Sequence, residues 1–185
     1  MWHYKQLNTY QQKIGQLVKD INDIIVNFND KSLNDLASKN LNQPDANLIM
    51  DNIWLGNSNV AQDFNFVTSK KINTIINVTK DISNYFDFIE YINYYIRDDD
   101  ACQINLFYVM EEGAKIINDT ISNGKTILIH CKRGHHRSAC IVAFYLMKYH
   151  NISLICAIKI IKNIRPNAFR RITCMLQQLI LYEIN

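Results

Sequence analysis

Cys131 and Arg137, with five residues between them, sit in the stretch Thr126 to Ala139 (TILIHCKRGHHRSA), and their types and spacing suit phosphoryl chemistry. An apolar run precedes the cysteine; Ser138 and helix-forming apolar residues follow the arginine, so the stretch reads as strand, loop and helix N-terminus. A loop feeding a helix N-terminus turns successive backbone N–H groups toward one point, and the helix dipole behind them favours a tetrahedral oxyanion there. Gly134 lets the backbone turn without a Cβ penalty. The same field, with His130 and the Ser138 hydroxyl as hydrogen-bond neighbours, favours the anionic form of Cys131. A thiol of pKa about 8.5 is only a few per cent ionised at neutral pH, whereas one near 5 to 6 is almost wholly thiolate. Arg137 offers a planar fork for two oxygens of a phosphoryl group, which Lys does not. A Cys and an Arg at this spacing are weak evidence alone. Adding His130, Gly134 and Ser138 lowers the chance of the pattern to on the order of one in a hundred thousand.

These residues carry a resemblance. HCKRGHHRS resembles the signature loop of the Cys-dependent protein phosphatases, and the chain from about Leu48 onward is similar to the small dual-specificity branch. Asn52-Ile-Trp-Leu-Gly-Asn resembles the branch's opening strand and turn, Ile72-Asn-Thr-Ile-Ile-Asn-Val-Thr its next central strand, and Ala143-Phe-Tyr-Leu-Met-Lys the helix behind the loop. In the tail, Arg165-Pro166, Gln178-Leu179 and Tyr182-Glu183 fit, but the basic pair Arg170-Arg171 replaces the usual Pro-Asn. The resemblance implies a metal-independent, cofactor-free phosphatase acting on phosphoproteins through a cysteinyl-phosphate. Cys131 and Arg137 would be catalytic, His130 and Ser138 supporting, and Lys132, Arg133, Gly134, His135 and His136 the phosphate-binding loop. The expelled alkoxide or phenolate needs a proton. Three carboxylates in a row fall where the family's acid loop lies, and its register puts the acid at Asp98, with Asp99 the runner-up. The Asn-Arg-Tyr phosphotyrosine loop of the large tyrosine-specific branch is absent, which implies a shallow pocket open to phosphoserine and phosphothreonine as well as phosphotyrosine.

The elements that must position these groups follow from periodicity. Leu7, Tyr10, Ile14, Leu17, Ile21, Ile24 and Phe28 form a heptad stripe on one helix over residues 1–28. That helix either packs on its own domain or is shared with a second subunit. Poxvirus-type members of the family carry an N-terminal helix used in dimer exchange, so the resemblance adds a homodimer as a possible partner arrangement. Residues 29–47 are polar and read as a linker holding one short helix around Leu33 to Ala37. A catalytic domain then spans 48–185. Leu48 to Leu55 reads as a hairpin around Asp51-Asn52, Thr74 to Val78 as a buried strand, and Phe86 to Ile96 as an aromatic, β-branched run. Helices are expected over Ile104–Ile121, Ser138–Tyr149, Ser153–Asn163 and Ala168–Glu183, giving an α/β fold with helices covering a mixed sheet.

At 185 residues and 48% hydrophobic, the chain is long enough for one compact domain and an appendage. A net charge of +3 does not by itself argue for nucleic acid or membrane. No stretch approaches a membrane span or a secretory signal, so an intracellular, cytoplasmic protein is expected. Five cysteines without paired spacing argue against a disulfide framework and against zinc. Cys140, Cys156 and Cys174 read as inert core thiols, while Cys102 follows the acidic run and could pair reversibly with Cys131 under oxidation. Two alternatives remain. Lys132, Arg133, Arg170 and Arg171 favour a highly anionic substrate, and the loop is similar to the HCKRGKHRT-type loops of members that act on inositol pyrophosphates. An inositol (pyro)phosphate or an RNA 5′-triphosphate is therefore the rival substrate. The other alternative is a silent phosphoresidue-binding module, whose usual mark, a lost nucleophile or arginine, is missing.

Overall fold

The computed structural model describes residues 2–39, 44–97 and 105–185, with side chains of the first segment described over 7–28. Five strands form one sheet in the order β1-β2-β5-β3-β4. Strands β1 (Ala46–Met50) and β2 (Ile53–Gly56) make the expected hairpin. Its turn carries Asn52 at φ 63°, a left-handed conformation that asparagine tolerates better than most residues. The remaining pairings are parallel, joining β2 and β3 (Ile72–Asn77) to β5 (Thr126–His130), and β4 (Glu90–Asn93) to β3. Only Glu90–Asn93 of the aromatic run is strand.

The β5 strand is buried from Ile127 to His130 because both faces of the sheet are covered. On one face lie α3 (Leu106–Ser122), α4 (Arg137–His150), α5 (Leu154–Ile164) and α6 (Cys174–Ile184). The other face is closed by a 3-10 turn at Val60–Gln62, by α2 (Phe64–Ser69) and by Ile89, packed on Ile75 and Leu128. Helix α4 is buried from Arg137 to Met147, so the loop before it opens from a rigid core. Helix α3 is capped by Asn105, whose side chain accepts from the Tyr108 N–H at 3.1 Å.

Helix α6 begins later than the sequence pattern suggests. Phe169 takes a φ of 51° and its N–H bonds the His135 carbonyl at 2.7 Å, so this stretch is a loop tied elsewhere. Thr173 then caps the helix by accepting from Leu176 N.

Helix α1 runs over Trp2–Lys39, through the first part of the polar segment read as a linker. Its stripe packs within the chain: Ile21, Ile24 and Ile25 join the main core, with Ile14, Leu17, Val18 and Phe28 against it, facing α5 and α6. Burying such side chains contributes about 1.5–3 kcal/mol each, which offsets the roughly 1 kcal/mol helix cost of Gly15. The Tyr10 hydroxyl also donates to Asn185 Oδ1 at 3.3 Å.

The cysteines depart from the expected core role. Cys140 is buried, but Cys156 is exposed, on the outward side of α5 opposite Ala157 and Ile161. Cys174 is half-buried and disulfide-bonded. Cys131 is a free thiol, and Cys102 lies outside the described residues.

Candidate active site

Strand β5 ends at His130 level with Gly56 of β2 and Asn77 of β3, and the chain then curls through residues 131–136 into α4. Along that curl the carbonyls are held by named donors. Lys132 O accepts from Ser58 N at 3.2 Å and from the Ser58 hydroxyl at 3.1 Å. Arg165 donates through Nη2 to Arg133 O at 3.4 Å and through Nε to Gly134 O at 2.8 Å. His135 O accepts from Phe169 N. Among the described residues all peptides are trans, and in a trans peptide C=O and N–H point opposite ways. Drawing these four carbonyls outward therefore turns the N–H groups of Arg133, Gly134, His135 and His136 inward, toward Cys131.

Gly134 is required by this arrangement. Its φ is 66°, and a Cβ there would stand 2.5 Å from Gly56 O and 2.6 Å from Arg165 Nη2. Arg165 is itself only 1% exposed and is anchored further on Pro44 O at 3.0 Å and Asn47 Oδ1 at 2.7 Å. Burial lowers its pKa to about 10, against the pull of Cys131 and Asp45, so it stays charged at neutral pH.

The Cys131 sulfur lies at the focus of the curl and is 3% exposed. Burial pushes the thiol pKa up. The Arg137 guanidinium, the Ser138 hydroxyl donating to Sγ at 3.3 Å, and the N–H groups of Ser138 and His136 outweigh that effect, so the net displacement is downward. Arg137 is held by donating through Nη1 to Ile96 O at 2.6 Å, which anchors the segment leading into Asp98. Asp98 and Asp99 themselves lie outside the described residues.

His130 does not serve the sulfur in the way its position suggests. Its ring is 1% exposed, its Nδ1 has no hydrogen-bond partner, and its recorded bond is to the Cys131 backbone. Burial lowers its pKa to about 4; that backbone bond opposes the fall and Arg137 adds to it, so the ring is neutral at pH 7. His135 is likewise brought to about 4, by burial and then by Arg165, Arg170, His136 and Arg133. His136 takes the N-cap position of α4 without a side-chain cap bond.

Above this floor opens a cleft of about 720 Å³, lined among others by Thr79, Asp81, Ile82, Arg97, Arg170 and Arg171. Arg97 faces Asp81 at 3.9 Å. Lys132, Arg133, Arg170 and Arg171 are exposed, and among the described residues their side chains make no hydrogen bond or ion pair.

Cys131, Arg137, Ser138 and the loop residues 132–136 are thus brought together around one cleft. Three contributors escape sequence reading: Ser58, Arg165 and Phe169. Arg165-Pro166 was the available signal, an arginine at the end of an apolar helix followed by a helix-stopping proline.

A family model for the dual specificity phosphatase catalytic domain matches residues 53–185. Dual specificity protein phosphatase 18 of Mus musculus is 31% identical over 137 residues, covering 74% of this chain and 71% of the relative. Dual specificity protein phosphatase 21 of Homo sapiens is 31% identical over 151 residues, covering 80% and 78%. The fold is also that of human DUSP28, with a TM-score of 0.69 at 22% identity over 76% of this chain and 93% of that one. With a curled loop focused on one thiol, and this likeness over most of its length, the chain belongs to the dual specificity phosphatase family and is by that membership a hydrolase.

Proposed function

We propose that the chain removes phosphate from phosphotyrosine and from phosphoserine or phosphothreonine in proteins, through a cysteinyl-phosphate. The observation that carries this reading is the Cys131 sulfur, whose acidity is raised by Arg137, Ser138 and inward N–H groups despite its burial. The Cys131 thiolate attacks phosphorus while Arg137 and the loop N–H groups hold the equatorial oxygens. The P–O bond to the side chain breaks, and Asp98, with Asp99 the runner-up, protonates the leaving oxygen. The same carboxylate then takes a proton from the water that cleaves the sulfur–phosphorus bond, and phosphate leaves with the thiolate restored.

The test is turnover of phosphotyrosine and phosphothreonine peptides by three purified proteins. Cys131→Ser is expected to abolish release of phosphate, and Asp98→Asn to lower kcat by about 10² to 10⁴ fold on peptides. Undiminished phosphate release by either variant overturns the role given to that residue.

The four cations of the cleft, which have no partner among the described residues, favour a second reading, a substrate carrying several phosphates, such as an inositol (pyro)phosphate or an RNA 5′-triphosphate. A higher kcat/KM on such compounds than on phosphopeptides would replace the first reading with this one. In both readings the packing of Ile14, Leu17, Ile21, Ile24 and Phe28 beside α5 and α6 supports a helix α1 held within its own chain, and a homodimer through an exchanged helix is the alternative arrangement.

A further inference from the structure

Lys162 has no part in the chemistry above, yet its side chain is fully buried. It lies on α5, and its Nζ donates to Pro166 O at 3.0 Å and to Ala168 O at 2.7 Å. Its ammonium also stands 5.5 Å from the ring centroid of Phe28 on α1. Burial, and then the like charge of Arg170, lower its pKa to about 8. A buried ammonium without a carboxylate is expensive, and it is tolerated where its hydrogen bonds are taken up. Here they are taken up by two carbonyls of one short arch, residues 166–169.

The end of that arch touches the catalytic loop. Phe169, 1% exposed, holds the left-handed φ of 51°, a conformation unfavourable for a residue with a Cβ. In that conformation its N–H grips His135 O at 2.7 Å. The other end of the same peptide unit is the His136 N–H, one of the groups that hold the pKa of Cys131 down. An unbroken series of contacts therefore runs from the Phe28 ring through Lys162, the arch and Phe169 to the nucleophilic sulfur.

We propose that Lys162 is a positioning residue through which the docking of helix α1 sets the orientation of the His135–His136 peptide against the Cys131 sulfur. Its effect on the thiol follows from geometry alone, while its effect on turnover rests on the phosphatase reading. Lys162 is not among the residues lining the cleft.

The whole chain is compared with Lys162→Met, Lys162→Gln and Phe28→Ala. Iodoacetate alkylation is followed against pH at Cys131 by mass spectrometry, together with kcat and KM on an aryl phosphate and a thermal melt. Lys162→Met strands two carbonyls and frees the arch; the alkylation midpoint rises by about one pH unit, and kcat/KM falls about tenfold at neutral pH. Glutamine, which keeps two N–H donors, recovers more than half of the shift, and Phe28→Ala gives a smaller rise of the same sign. A purely structural lysine would lower the melting temperature and leave the midpoint where it was. A folded Lys162→Met protein with its midpoint within about 0.2 units of wild type overturns the proposal. If that variant fails to fold, an unmoved midpoint in Phe28→Ala overturns it equally. A shifted midpoint in a protein whose wild type hydrolyses no phosphate ester keeps this proposal and removes the phosphatase reading.

Discussion

In the floor of the cleft the carbonyls from Lys132 to His135 each have a donor, drawn from Ser58, Arg165 or Phe169. In its wall, the side chains of Lys132, Arg133, Arg170 and Arg171 donate to no acceptor among the described residues. The two regions share residues 132 and 133, whose backbones belong to the floor and whose side chains belong to the wall. Backbone ties fix where the oxyanion sits before substrate arrives, so little is spent on reorganisation at the moment of reaction. Unpaired guanidinium groups at the rim instead keep their pairing capacity for whatever anion enters. The floor is suited to one reaction and the wall to choosing among substrates.

The largest effect is expected from breaking the floor at its tightest point. Gly134→Ala places a Cβ against Gly56 O and Arg165 Nη2 in a left-handed conformation. Its kcat/KM on an aryl phosphate should fall on the order of 10³ fold, equivalent to about 4 kcal/mol. A loss below tenfold would mean that the loop can reshape, and the contrast with the wall would dissolve. Arg165→Met comes next, with a loss of about 10² fold and weakened orthovanadate inhibition, because two inward N–H groups lose their alignment. Arg170→Ala with Arg171→Ala should have the smallest effect. KM for a multiply phosphorylated substrate should rise about tenfold, with kcat changed less than about twofold, as expected when binding common to ground and transition states is removed. An equal fall in kcat would place these arginines in the chemistry and move them from wall to floor.

How much of this was legible in the sequence depends on distance along the chain. The strand, loop and helix from Thr126 onward are contiguous, so composition, periodicity and the glycine gave their order directly, and the Asp51-Asn52 turn announced the hairpin. The ties that orient the loop come from Ser58 and Arg165, which lie 74 and 32 residues from the carbonyls they hold. No local pattern marks such partners. Helix α6 starts later than its apolar pattern suggests because tertiary contacts of Phe169 with His135 and of Ala168 with Lys162 hold that stretch out of helix. Adjacency in sequence suggests His130 as a hydrogen-bond neighbour of the sulfur. On a strand, however, neighbouring side chains leave by opposite faces, and His130 is enclosed by the core. Cys156 was assigned to the core from an apolar neighbourhood whose helical phase turns it to solvent.

The lateral row Gly56–His130–Asn77 limits how this chain can vary in length. Removing one residue from β2 would slip it by a rung against β5, invert which of its side chains face the helices, and carry Ser58 away from Lys132. Insertions at the exposed turn of residues 123–125, or at the exposed Asn151 between α4 and α5, meet no such rung. Strand lengths are therefore frozen by the site, and changes in length are best absorbed at turns that hold none of its carbonyls.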